Sequence, residues 1–153
     1  GDEVVLSVVS APAMQQRWWA SREAGAFTRN NGGQQRLSVS TTPDLVNAAL
    51  IFSPRSQWAQ RQEQFADLCS RVKTTTADGD FHLYMQVAEG KADIACEPEL
   101  SLWDIAALIP IVEEAGGTIS GFKGEPGLVA GCAVASNGLL HADTLAVFSP
   151  SAP

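Results

Sequence analysis

The chain has 153 residues, 45% of them apolar and 18% charged, with a formal net charge of −7. This length holds one domain with a real core, and the composition excludes a disordered tail or a coiled coil. The negative balance excludes nucleic acid as an expected partner, and no run approaches the ~18 apolar residues of a membrane helix, so no membrane contact is expected.

Gly1-Asp2-Glu3 leads straight into residues 4–10, which read as the turn and second strand of a hairpin whose first strand is absent. With no initiator Met and no signal-peptide pattern, the start reads as the inside of a longer protein. Ala11-Pro12-Ala13 breaks the strand. Residues 17–20 form a short aromatic strand that sends Trp18 and Trp19 to opposite faces, so at least one Trp is expected to face a missing partner. A turn and strand follow over 23–28, and Asn30-Asn31-Gly32-Gly33 is a strong turn signal. Residues 37–41 alternate as a half-buried strand should, and 48–52 form a short apolar strand ended by Ser53-Pro54. Trp58, Phe65, Leu68 and Val72 predict a helix over 57–72. A second helix is expected over 81–89 with Gly90 as its cap, then a buried strand over 92–96. A third helix is expected over 102–115, kinked at Pro110 and stopped by Gly116-Gly117. Strands over 118–121 and 133–136 and a last helix over 139–148 complete the pattern. The expected fold is α/β, a layered mixed sheet with packed helices, forming one domain over residues 1–150 with a frayed tail at 151–153.

Cys69, Cys96 and Cys132 are odd in number and widely spaced, which fits a reducing, cytoplasmic setting better than a disulfide scaffold. Charge is unevenly spread. Residues 1–76 carry eight Lys/Arg and six Asp/Glu, whereas 77–153 carry two and eleven. Nine of the seventeen carboxylates lie between Asp78 and Glu114. Such a run is either a solvated acidic surface or a cation site, because hard divalent cations need carboxylate oxygens. The second reading centres on residues 96–107. A buried strand ends at Cys96, an acidic loop follows, and Ser101 can cap the next helix, leaving Asp104 in its first turn. Asp104 is then either a helix-start stabiliser or, with Glu97 seven residues earlier, part of a cation or ligand site. His82 and His141 show no metal spacing, and no nucleophile motif stands out, so no catalytic side chain is assigned.

Trp103-Asp104-Ile105-Ala106-Ala107 and Ile111-Val112-Glu113-Glu114-Ala115-Gly116-Gly117 resemble the C-terminal signature of the inositol monophosphatase superfamily. Val9-Ser10-Ala11-Pro12-Ala13, Arg17-Trp18-Trp19-Ala20, Gly79-Asp80-Phe81, Ala88-Glu89-Gly90, Glu97-Pro98-Glu99 and Ser136-Asn137-Gly138-Leu139-Leu140-His141 resemble its actinobacterial histidinol-phosphate phosphatase branch. The resemblance implies the C-terminal part of an α-β-α-β-α sugar-phosphatase fold and a Mg²⁺-dependent hydrolase of small phosphorylated metabolites, acting on histidinol phosphate, inositol phosphate or a related ester. It implies Asp104 as a metal ligand, Glu97 as a contact to the substrate's alcohol portion, and Gly79 and Asp80 as flanks of the substrate pocket. Asp80 reads equally well as a surface turn.

Two departures matter. The family's first metal cluster, carried by its N-terminal half as a Glu-Glu pair and an Asp-Pro-Ile/Leu-Asp-Gly-Thr/Ser motif, has no match here: the only Asp-Gly is Asp78-Gly79. Two metal ions ~4 Å apart cannot be held by one Asp. The chain alone is therefore expected to bind Mg²⁺ weakly or not at all, to be inactive, and to require an N-terminal half or self-association. The alternative is a non-catalytic module that needs a partner. Thr76 and Asp78 also stand where related sequences tend to carry an Arg and an aromatic residue.

Overall fold

Among the described residues, nine strands and six α-helices form two sheets with helices between and beyond them. This is seen in a computed structural model that describes residues 3–149. The proposed tail at 151–153 lies outside the described residues. The first sheet is an antiparallel meander of β1 (Leu6–Ala11), β2 (Gln16–Ser21), β3 (Gly25–Asn30) and β4 (Gly33–Arg36). Its register sets Val8 opposite Trp19, and Trp19 opposite Phe27. Period-two alternation then decides the faces. Trp18, Ala20, Ala26 and Thr28 are buried on one side, whereas Leu6, Val8, Arg17 and Arg29 are exposed on the other. The expected split of the two tryptophans is borne out: Trp18 is buried and Trp19 stacks on Phe27 across the outer face. As the residues 4–10 pattern implied, β1 is an edge strand, paired with β2 alone among the described residues.

The second sheet is mixed, in the order β6-β5-β7-β9-β8. Its members are β5 (Ala49–Phe52), β6 (Thr74–Ala77), β7 (Ile94–Glu97), β8 (Thr118–Ser120) and β9 (Ala133–Ser136). Strand β5 runs parallel to β6 and β7, while β9 runs antiparallel to β7 and β8. Helices α2 (His82–Ala88) and α4 (Leu108–Glu114) lie between the two sheets. There Leu83, Met85, Ile111 and Val112 meet Trp18 and Ala26 from one sheet and Ile51 and Ala95 from the other. On the far face, α1 (Gln62–Arg71) and α6 (His141–Phe148) cover Leu50, Phe52, Ile94 and Val134 with Phe65, Leu68, Val147 and Phe148. Trp58 joins that second core, stacked on Phe65 at 4.3 Å. The order of layers is thus sheet, helices, sheet, helices, the α/β arrangement expected. No helix among the described residues is long and apolar enough to cross a membrane.

Four expectations need correction. Residues 37–41 are not a strand. Leu37 donates to Ala26 O and Val39 to Ala115 O, so the segment bonds to two different elements as it passes between layers and forms no ladder. The buried Asp93 carboxylate accepts the Ser40 hydroxyl and, through its other oxygen, the N–H of Ala49, which ties the far end of the segment to β5. The helix expected over 57–72 is a 3-10 segment, Arg55–Arg61, followed by α1. The last helix starts at His141, two residues later than expected. The helix expected over 102–115 is two: α3 (Leu102–Ile105) and α4, with the break at residues 106–107 rather than a kink at Pro110. Restarting at Leu108 puts Pro110 third in its helix, in the first turn, where a missing N–H leaves no bond unmade. Strand β6 and the short α5 (Gly127–Ala130) were not anticipated.

Candidate active site

Strand β7 delivers Glu97 to the carboxyl end of the second sheet, and the loop after it turns back through Glu99 and Leu100 into α3. Leu100 is held there by its N–H, which donates to Gly131 O at 3.1 Å. Asp104 is the third residue of α3, and its Oδ2 accepts the Ser101 N–H at 2.8 Å, closing the first turn. From the other side, the turn between β6 and α2 brings up Asp80, and α2 adds Tyr84. These residues enclose a cleft of about 310 Å³, with Phe81 and Leu108 as its apolar wall. Of the sequence-expected site residues, Asp80, Glu97 and Asp104 meet in this one cleft. Gly79 stands just outside the lining; a Cβ there would meet nothing, so the position does not need glycine for space.

Tyr84, Glu99 and Leu100 also line the cleft but were not singled out. Tyr84 sits in α2 while Asp80 lies in the turn before it, so no helical spacing links them; the hydroxyl contact to Glu97 is what brings Tyr84 into the cleft. Glu99 lies in the same acidic loop as Glu97.

Four carboxylates and no Lys or Arg line the cleft. Burial pushes the Glu97 carboxyl up to about 7. The Tyr84 hydroxyl, donating to Oε2 at 3.0 Å, opposes that rise, and the charges of Asp104 and Asp80 add to it. Burial first, and then the Glu97 charge, hold the Tyr84 phenol well above its ordinary range, so it stays a donor. Oxygen donors without cationic partners suit a hard cation such as Mg²⁺. The set is partial, however: among the described residues no three acidic, His or Cys side chains come close enough to cage an ion. The cleft has the oxygen donors for at most one side of a cation site, and Asp104, Glu97, Glu99 and Asp80 are the residues that could supply them.

Residues 1–151 match the inositol monophosphatase family. The chain belongs to that family. It is 49% identical over 148 residues to the histidinol-phosphatase of Streptomyces coelicolor, covering 95% of this chain and 56% of that protein. It is also 49% identical over 143 residues to the histidinol-phosphatase of Mycobacterium tuberculosis, covering 92% and 55%. Among solved structures, the Thermotoga maritima IMPase superposes with a TM-score of 0.82 at 30% identity, over 95% of this chain and 56% of that one. An IMPase/NADP phosphatase, solved in complex with Mg²⁺ and phosphate, shares the fold at a TM-score of 0.79 and 23% identity, over 96% and 55%. The chain spans about half the length of the curated relatives it matches.

Proposed function

We propose that the cleft is one side of the active site of a Mg²⁺-dependent phosphate-monoester hydrolase, and that its substrate is histidinol phosphate, in histidine biosynthesis. The observation that carries the reading is the all-acidic cleft. A phosphate ester carries negative charge, and four carboxylates repel it unless cations intervene. The same carboxylates favour a substrate whose alcohol portion is cationic, as an amino alcohol is. The similarity to two histidinol-phosphatases supports that choice.

In this reading Asp104 holds a metal ion, with its side chain fixed by the Ser101 N–H. Glu97 faces the substrate's alcohol portion, oriented by the Tyr84 hydroxyl. Asp80 flanks the same portion from the opposite wall, with Gly79 in the turn beside it. Mg²⁺, when bound, would neutralise phosphate charge and favour a hydroxide nucleophile. The rest of the ligand set comes from outside these residues, in an N-terminal part; activity of the self-associated chain alone would instead assign it to a second copy. The test is phosphate release from histidinol phosphate against Mg²⁺ concentration. The 153-residue chain is measured alone and then joined to the N-terminal length its relatives carry. The expected result is activity only in the joined form; activity on inositol phosphate but not histidinol phosphate would overturn the substrate assignment.

A further inference from the structure

The turn from β6 into α2 is closed by a pair of side chains to which the family resemblance gives no role. Asp78 Oδ1 accepts the Gly79 N–H at 2.8 Å, and Oδ2 stands 2.7 Å from His82 Nδ1. The Gln86 amide nitrogen lies 3.3 Å from His82 Nε2. An amide nitrogen only donates, so the network assigns the His82 proton to Nδ1, where it points at Asp78. Both ends of the turn are anchored. The Asp78 N–H donates to Phe52 O at 2.9 Å, and the Phe81 ring packs 5.8 Å from that of Trp18.

Between those anchors Asp80 has a φ of +57°. A left-handed backbone is uncommon outside glycine; a short Asp side chain tolerates it better than most, and local contacts then decide whether the turn is held. Asp78 and His82 lie two residues to either side of Asp80, and neither is among the residues that line the cleft. Their contact therefore spans Asp80, whose side chain lines the cleft with Glu97 and Asp104.

We propose that the Asp78–His82 pair is a positioning device that fixes Asp80 in the cleft wall. The inference rests on the reading of the cleft as a substrate site, but its first test is independent of that reading. Backbone amide exchange is measured at Asp78 and Gly79, whose N–H groups bond to Phe52 O and Asp78 Oδ1, in the 153-residue chain. His82→Ala is expected to speed exchange there about tenfold, with residues 94–97 unchanged. His82→Asn, which sets an amide donor where Nδ1 stands, is expected to restore protection to within about twofold of wild type. Unchanged exchange in His82→Ala, or failure of His82→Asn to rescue, overturns the proposal. A second arm uses the joined phosphatase. There His82→Ala is expected to raise KM about tenfold with kcat nearly unchanged, and to add nothing in an Asp80→Ala background. Additive effects of the two substitutions overturn the link to Asp80. Complete lack of phosphatase activity in the unaltered joined protein counts against the function proposed above, and the exchange arm then decides the clasp by itself.

Discussion

Glu97 couples the cleft's charge to the protein's stability. Its carboxyl titrates near 7 in the folded chain against an ordinary 4.5. Between those values the folded state holds more protons than the unfolded state, so the Glu97 contribution makes stability fall as pH rises through that window. For a half-buried group the effect is on the order of 1–2 kcal/mol after solvent screening is allowed for. Glu97→Gln is expected to remove it, making the loss of stability between about pH 5 and about pH 7.5 smaller than in wild type. Urea unfolding at the two pH values checks this, and parallel curves for the two proteins would contradict it. Tyr84→Phe removes the donor to Oε2 and is expected to push the Glu97 carboxyl higher still, observable by carboxyl NMR titration. The acidic loop placed Glu97 and Asp104 near each other in the sequence, and the structure places them in one cleft. Tyr84 escaped notice because a buried helical tyrosine looks like core until its hydroxyl partner is known.

At the level of elements, the strong apolar periods were legible and the exposed or interrupted ones were not. Strands β2, β5, β7 and β9 and helix α2 appear close to where their patterns put them. Strand β6 was invisible because Thr74, Thr75, Thr76 and Ala77 are all exposed at a sheet edge and carry no alternation. Residues 37–41 show the reverse error: alternation arose from burial between layers, with hydrogen bonds going to separate elements. Helices α3 and α4 share an apolar stripe that reads as one helix, and only the place of Pro110 reveals two. The glycine stop after α4 is legible in the sequence: Gly116 takes a φ of +94° and the Gly117 N–H returns to Val112 O at 2.9 Å, while Gly117 is also required for space. A Cβ on Gly117 would stand 2.6 Å from Ser136 O and 2.9 Å from Val112 Cγ1. Gly117→Ala is expected to destabilise by roughly 2–3 kcal/mol, checked by chemical denaturation. A change within experimental error would mean that β8 and β9 shift freely against α4.

Across the whole molecule, charge and apolar surface are segregated. The cleft is acidic, whereas the outer face of the first sheet presents Arg17, Arg29 and Arg36 around Trp19 and Phe27. Its edge strand β1 exposes Leu6 at 63% and Val8 at 52%. An open edge beside apolar surface favours association. The chain is expected to self-associate with rising concentration, and Leu6→Lys with Val8→Lys to shift it toward monomer in sedimentation; a wild-type monomer with a sharp two-state melt would contradict this. The layered α/β fold followed from the order of elements, and the acidic cleft from clustering of carboxylates in the second half. That further ligands come from outside these residues is part of the proposal, and it rests on the absent Asp-Pro-Ile/Leu-Asp-Gly-Thr/Ser motif; the chain spans about half the length of the relatives it matches. The most direct test is the Mg²⁺ dependence of phosphate release from histidinol phosphate by the joined protein carrying Asp104→Asn. The substitution keeps the size of the side chain and removes the charge. If Asp104 holds the ion, turnover falls at least ~100-fold, about 2.7 kcal/mol of transition-state stabilisation, and half-maximal rate needs more Mg²⁺. Near-wild-type turnover and metal dependence, with only a small loss of helix stability, would show that Asp104 merely starts α3 and that the cleft is not a metal site.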